Sequence, residues 1–317
     1  MKKLKIVDFD DVLKHSAEDQ ETKEIYVNDI RDELETFFDK GYPLGESCHI
    51  KSLDGIFSWR KGFLYCFSGY PQSGKSEMVN WQMILRAKHY GSKTLLYSPE
   101  SDTKELITNL VRAYIGQNVN PEFSNVCSKE DYDKGLDFIH DHFVFIENED
   151  EMPSIKTLLD VFYKFSKKGY EFFVIDPLNW VVESTGENNL YNYLKLTLTS
   201  LKLFARTHDV CSIYIEHPKT PTISNKTGLV PRANSFSLAG GSMHFNKCDC
   251  IVILHRLTKE EIEDKVSKGE ILSSLLENDK ENCNFVEWET VKMKSQRLNG
   301  KLGSQVLQYD FTTGRFV

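Results

Sequence analysis

The chain has 317 residues, with 39 Lys+Arg against 47 Asp+Glu and a formal charge of −8. Its 40% hydrophobic and 27% charged residues are ordinary for a globular chain, and no run reaches the roughly 18 apolar residues that a membrane span needs. Taken alone, the negative total also argues against a basic-coated nucleic-acid binder.

The start, MKKLKIVDFDDVLKHS, carries acids where a secretory leader would place its apolar segment, so no leader is expected. Seven cysteines are scattered, without CxxC spacing and partly inside apolar runs, which predicts buried reduced thiols. Cys248-x-Cys250 has no second ligand pair after it and is discounted as a metal site.

Along the chain, Ile25, Ile30, Leu34, Phe37 and Phe38 have helical spacing and predict an amphipathic helix ending near Gly41. It is expected to dock either on its own domain or on a neighbouring subunit. Strands and helices then alternate. FLYCFSG (63–69) reads as a buried strand, followed by a helix from Lys75 to about Tyr90, stopped by Gly91. Further strands are predicted at 94–98, 142–147, 171–176, 211–216, 248–254, 290–296 and 304–311. Asn299-Gly300 between the last two is a hairpin signal. The alternation predicts an α/β fold with a mostly parallel sheet covered on both faces.

The strongest local pattern is Gly69-Tyr-Pro71-Gln-Ser73-Gly74-Lys75-Ser76, a complete GxxxxGK[ST] phosphate loop between a strand and a helix. Its glycines let backbone N–H groups turn toward phosphate oxygens, and the helix N-terminus adds its positive dipole end. Lys75 is expected at the β- and γ-phosphates and Ser76 on Mg²⁺, with Glu77 completing the cofactor-binding set. Asp176 ends the apolar strand FFVID, where the second metal-shell acid belongs. Glu100 follows TLLYSP on a strand expected beside the phosphate-loop strand or one removed, where a carboxylate polarises the attacking water.

The phosphate loop, SPE, IDPLNW, IEHPKTP, LAGGSMHFNKCD and KMKSQRLNGKLG occur in this order. Together they resemble the RecA-like motor domain of DnaB-type replicative helicases, in the phage primase-helicase and Twinkle branch, over about residues 41–317. The resemblance implies a RecA-like P-loop NTPase with a C-terminal β-hairpin at 46–317, preceded by an arm at 1–45. It implies ATP, dTTP or another NTP with Mg²⁺, single-stranded or forked DNA, and a homo-oligomeric ring, expected to be a hexamer. It makes Glu100 the catalytic glutamate, Asp176 the Walker B acid and His217 a γ-phosphate sensor. Arg297, with Lys294 or Lys292, resembles the basic pair that reaches a neighbour's nucleotide. One extra residue separates that pair from the usual Lys-x-Arg, which a bulge would absorb. Arg256 resembles the arginine over the base, with Tyr309 or Phe311 opposite.

The total charge hides an uneven distribution. Residues 217–247 hold four Lys/Arg and no acid and read as a long loop, the expected DNA grip. Its candidate contacts are Lys219, Lys226, Arg232, Lys247 and the backbone around Gly240, Gly241 and Ser242. The acidic runs at 128–151 and 257–290 read as solvated outer faces. The reading is therefore a ring-forming, ATP-dependent replicative DNA helicase. The alternatives are a recombinase-like or regulatory DNA-dependent ATPase without unwinding, and a nucleotide-switched loader or scaffold. With no room for a primase domain ahead of residue 45, a primase or polymerase partner is expected to be a separate protein. The expected location is the cytoplasm, that of a bacterial host if the chain is bacteriophage-encoded.

Overall fold

Apolar runs four to seven residues long, each followed by a helical period, assemble here into one twisted sheet. The computed structural model describes residues 24–122, 126–147, 152–181, 190–219, 231–238, 240–271 and 284–317. The strands are β1 (Leu64–Ser68), β2 (Thr94–Tyr97), β3 (Phe143–Ile146), β4 (Phe172–Ile175), β5 (Cys211–Glu216), β6 (Cys250–Arg256), β7 (Phe285–Met293), β8 (Gly303–Asp310) and β9 (Arg315–Phe316). Their order is β3-β2-β4-β5-β1-β6-β7-β8-β9. The first six in that order are mutually parallel, and β7, β8 and β9 add antiparallel at one edge.

The helices are α1 (Arg31–Lys40), α2 (Lys75–Tyr90), α3 (Thr103–Ile115), α4 (Lys129–His142), α5 (Ile155–Ser166), α6 (Leu190–His208), α7 (Gly241–Lys247), α8 (Lys259–Ser267) and α9 (Gln296–Asn299). Because strand side chains alternate, each strand feeds two cores. Tyr65, Phe67, Leu96, Val174, Ile213, Ile215 and Val252 pack on the face covered by α2, α3 and α4. Leu64, Cys66, Leu95, Tyr97, Phe173, Tyr214 and Ile251 pack on the face covered by α5, α6 and α7. Burial on both faces explains why β1, β2, β4 and β5 read as continuous apolar runs without polar alternation.

The predicted elements lie within a few residues of the observed ones, and α2 and β5 have the expected bounds, except that β7 starts at Phe285 rather than 290 and buries Phe285 to Trp288 in a run expected to be solvated. Two differences bear on the site. First, the acid-free stretch is not all loop, because α7 occupies Gly241–Lys247 and buries Met243 and His244. The glycines that suggested a loop serve packing. A Cβ at Gly241 would lie 2.7 Å from the Phe236 backbone, and one at Gly240 would lie 2.8 Å from Leu194. Second, the hairpin after β7 is closed by α9 and Gly300 (φ +122°), whose missing Cβ leaves room for the Ile56–Phe57 backbone.

Chain ahead of β1 is anchored from Glu46 onward. Glu46 bridges to Trp59, while Cys48, Leu53, Phe57 and Trp59 are buried, and Trp59 Nε1 donates to Gln82 Oε1 at 3.0 Å. In contrast α1 buries none of its residues, and Ile25, Val27, Leu34 and Phe38 stay exposed. Of the cysteines, Cys48, Cys66, Cys211, Cys248 and Cys250 are buried free thiols and Cys127 is half-buried, whereas Cys283 lies outside the described residues. Among the described residues no helix is long and apolar enough to cross a membrane.

Candidate nucleotide site and nucleic-acid face

The parallel strands end on one rim of the sheet, and the phosphate loop lies there between β1 and α2. Two of its glycines are required by the backbone. Gly74 is left-handed (φ +82°) as it starts α2. At Gly69 a Cβ would sit 2.2 Å from the Leu254 carbonyl oxygen, so the loop passes too close to β6 for any side chain. The loop holds three polar groups in poor surroundings. Among the described residues the buried Ser73 hydroxyl has no hydrogen-bond partner. Lys75, 5% exposed, donates to the Tyr70 carbonyl at 2.9 Å, and burial pulls its pKa down to about 8 against the upward pull of Asp176 and Glu100. Ser76 bonds the Asp176 carboxylate, which burial pushes up to about 6. Paired Ser and Asp oxygens, an unsatisfied hydroxyl and a buried ammonium at the start of a 16-residue helix fit a Mg²⁺-bound phosphate chain. Pro71 and Gln72 form the outer turn of the loop, with Gln72 left-handed at φ +64°.

Glu100 arrives differently from the sequence expectation. Two strands, β4 and β5, separate β2 from β1, so its strand is neither adjacent nor one removed. The turn after Tyr97 nevertheless carries Glu100 back to the rim. Its Oε2 lies 4.0 Å from His217 Nε2, and its Oε1 accepts from Trp180 Nε1 at 2.8 Å. His217, one residue beyond β5, has its pKa lowered by burial and by the Lys75 charge, and so is held neutral. Trp180 was not among the expected site residues. Its place at the end of IDPLNW was visible, but not that this indole would reach Glu100 from the turn after β4.

Beside the phosphate loop is a cavity of about 430 Å³, lined by Gly74, Glu77, Arg112, Arg256, Tyr309 and Phe311 among others. Arg256 lies 5.9 Å from the Phe311 ring centre. Of the two aromatics considered, Phe311 is therefore the one facing Arg256. The Tyr309 hydroxyl is engaged deeper, donating to Glu77 Oε2 at 3.3 Å and accepting from Arg112 at 3.4 Å. Glu77 is held above the usual carboxylate range by burial. Glu105, Asn109 and Arg112 wall the cavity from α3, and no motif of the sequence had marked them.

The basic residues at and just after the end of β7 stand on the rim opposite the phosphate loop. β7 runs antiparallel to β6, pairing Val286 with Arg256 at the phosphate rim and Met293 with Cys250 at the opposite rim. Seven paired positions separate the two ends by about 20 Å at roughly 3.4 Å per residue. The register skips Val291 between Val252 and Ile251, a bulge that lies ahead of both Lys294 and Arg297 and so leaves the extra residue between them in place. Lys292 is half-buried and donates to the Phe245 carbonyl, while Lys294 is exposed, 3.6 Å from Asp249. Arg297 is exposed on α9, which is pinned through buried Asn299 to the Lys294 carbonyl (2.9 Å) and to Ser58 (2.7 Å).

The described candidates for DNA contact lie after β5, in the 231–238 segment and on α7. Lys226 lies outside the described residues. Lys219 follows β5, its N–H donating to the Ser237 carbonyl at 2.8 Å. Ser242 is exposed on α7, and the Lys247 carbonyl accepts from Lys202. Arg232 is held by Glu261 and Glu287.

No protein-family profile matches the chain. A curated relative, the chloroplastic/mitochondrial Twinkle homolog protein of Arabidopsis thaliana, is 27% identical over 304 residues, which cover 91% of this chain and 39% of the relative. The chain thus spans about two fifths of that protein's length. Among solved structures, a separately solved ATPase domain superposes with a TM-score of 0.71 at 17% identity, covering 93% of this chain and 99% of that one. A DnaB-like replicative helicase, studied with its interactions with primase, superposes with a TM-score of 0.69 at 18% identity over 94% of this chain and 68% of that one. The two superpositions show the fold: the chain has the RecA-like ATPase fold of these domains.

Proposed function

We propose that this chain hydrolyses ATP or a related NTP in a ring of identical subunits and uses the energy to move along single-stranded DNA and part a duplex. The observation that carries the reading is the split site. Lys75, Asp176, Glu100 and His217 converge on one rim, and the anchored Arg297 stands on the other, beyond reach of its own phosphate loop. Such a residue serves a nucleotide only in a neighbour, and repeating that head-to-tail contact closes a ring, of which a hexamer is the reading proposed.

The steps follow from the groups present. Phosphates enter the loop between β1 and α2, where they displace Lys75 from the Tyr70 carbonyl and give its charge a partner. Ser76 and Asp176 would hold Mg²⁺, which neutralises phosphate charge when bound. Glu100, steadied by Trp180, orients the attacking water and takes its proton. Neutral His217 donates toward the γ-phosphate. Loss of that phosphate is felt at Pro218, which bridges to Leu238 in the segment leading to α7. Arg297 of one subunit, with Lys294, stabilises charge on the next subunit's γ-phosphoryl group. Arg256 and Phe311 clasp the base. Lys219, Lys226, Ser242 and Lys247 are the proposed strand contacts. A primase or polymerase would act as a separate partner, and the work would be done in the cytoplasm holding the DNA, that of a bacterial host if the chain is phage-encoded.

A forked duplex with a labelled strand tests the reading. The expected result is ATP-dependent strand release, together with a mass of several subunits in ATP and a dT oligomer. Stimulated hydrolysis without release would favour a recombinase-like or regulatory ATPase, and slow turnover indifferent to DNA a loader or scaffold. A monomer under all conditions would remove the shared-site argument.

The exposed apolar side of the arm is proposed to dock on the neighbouring subunit, making residues 1–45 a linker and 46–317 the motor. Leu34→Asp with Phe38→Asp should lower the assembled fraction severalfold at micromolar protein without changing the melting temperature of the domain, read by sedimentation. Unchanged assembly would return the arm to its own domain.

A further inference from the structure

The acid-free stretch and the acidic 257–290 run, read from sequence as a DNA grip and a solvated face, meet in space. Arg232 Nε and Nη2 donate to Glu261 Oε1 at 3.0 and 2.7 Å, and Nη1 donates to Glu287. Glu287 is buried on β7 and also binds Lys265 at 3.3 Å. Glu261 Oε2 binds His255 Nε2 at 2.8 Å, and His255 is the residue before Arg256 of the base cavity. On its other side the same segment is tied to the γ-phosphate end. Pro218 bridges to Leu238, and the Lys219 N–H donates to Ser237. Asn234 folds the span between, its Oδ1 accepting from Phe236 N at 2.9 Å, and the Phe236 ring stacks on Phe245 of α7 at 5.6 Å.

We propose that Arg232 is a positioning residue that pins the 231–238 segment to the base end of the nucleotide site, so that base and γ-phosphate act together on α7, and that it does not itself touch DNA. This rests on the motor reading above. A guanidinium with both faces of its fork on carboxylates has little to offer a phosphate. Removing it toward DNA would leave Glu287 buried without its arginine, a costly state, and the two carboxylates repel a phosphate brought near.

The test uses the full chain as Arg232→Ala, Glu287→Gln and the double variant, all checked for an unchanged melting curve. Stimulation of hydrolysis by a dT oligomer should fall about tenfold in each single variant, and the double should be no worse than the lower single, as expected for one shared interaction. Arg232→Lys, which keeps one ion pair, should recover part of it. The slope of log affinity for dT against log salt should not change, whereas loss of a phosphate contact on single strands lowers it by about 0.7. A reduced slope in Arg232→Ala, or tighter DNA binding in Glu287→Gln, would overturn the proposal in favour of direct contact. Hydrogen exchange at 233–238 gives a readout without DNA. A non-hydrolysable ATP analogue should slow it in the unsubstituted chain and not in either variant, and equal protection in all three would also overturn the proposal. An unsubstituted chain that DNA does not stimulate would sink the motor reading, while the exchange result would still decide the role of Arg232.

Discussion

Lys75→Ala should reduce hydrolysis at least a hundredfold, in line with the roughly 10²–10³ cost of removing one preorganised charge-stabilising group, while leaving the domain as stable as before or more so. Both halves follow from one burial. Lys75 is 5% exposed, donates to a backbone carbonyl, and has its pKa drawn down to about 8. A lysine whose folded pKa lies below its unfolded value costs stability at neutral pH, and the cost fades as pH rises through that interval. Alanine removes the cost. Phosphate oxygens would give the ammonium a charged partner, so the group is disadvantageous to the empty fold and useful only with nucleotide bound. Steady-state hydrolysis and a melting curve check both. Retained hydrolysis would sink the catalytic assignment. Lost hydrolysis with a melting temperature several degrees lower would mean that Lys75 is structural.

Arg297→Ala should cost about 10³-fold in DNA-stimulated hydrolysis, within the range of an arginine supplied across an interface, with little change in nucleotide affinity. The exposed arginine sits on a short helix whose Asn299 is buried and bonded on both sides. A surface side chain gains nothing from such anchoring unless something outside the chain must meet it. The decisive experiment mixes two inactive proteins. Glu100→Gln lacks the carboxylate proposed to orient water and Arg297→Ala lacks the arginine. In a ring assembled from equal parts, about a quarter of the head-to-tail interfaces pair an intact Glu100 with an intact Arg297, so activity should return on mixing. No recovery would mean that the two residues do not complete a site across the interface, and since the separation along β6 and β7 keeps them apart within one subunit, the role of Arg297 would fall.

Legibility differed by kind of residue. The strands were readable because burial on both faces leaves runs such as CSIYIE and FFVI without polar interruption. Strand order was not. Glu100 was expected one or two strands closer to the phosphate loop than β4 and β5 allow, since order is set by which apolar faces pack and not by adjacency in sequence. A sequence reading of Gly240-Gly241 as loop was reasonable on composition and incorrect in place. Those glycines make room for Leu194 and Phe236, and the helix begins at them. Lys292 and Lys294 were alike in sequence, but the fold leaves Lys292 in β7, donating to the Phe245 carbonyl, and Lys294 exposed just past the strand end.

The phosphate loop belongs to the first class. Its glycines, lysine and serine act through backbone conformation and a helix terminus within one short segment, so the chain's local order already determines that chemistry. Arg232 belongs to the second. Its partners are 29 and 55 residues away, and nothing in its own neighbourhood distinguishes a DNA contact from a buried-carboxylate anchor. The net charge of −8 had the same ambiguity: the number was set by sequence, but which acids face water and which hold an arginine was decided by the folding of β6, β7 and α8 against the 231–238 segment. Charges act through distance, and distance between residues far apart in the chain exists only once the sheet has formed.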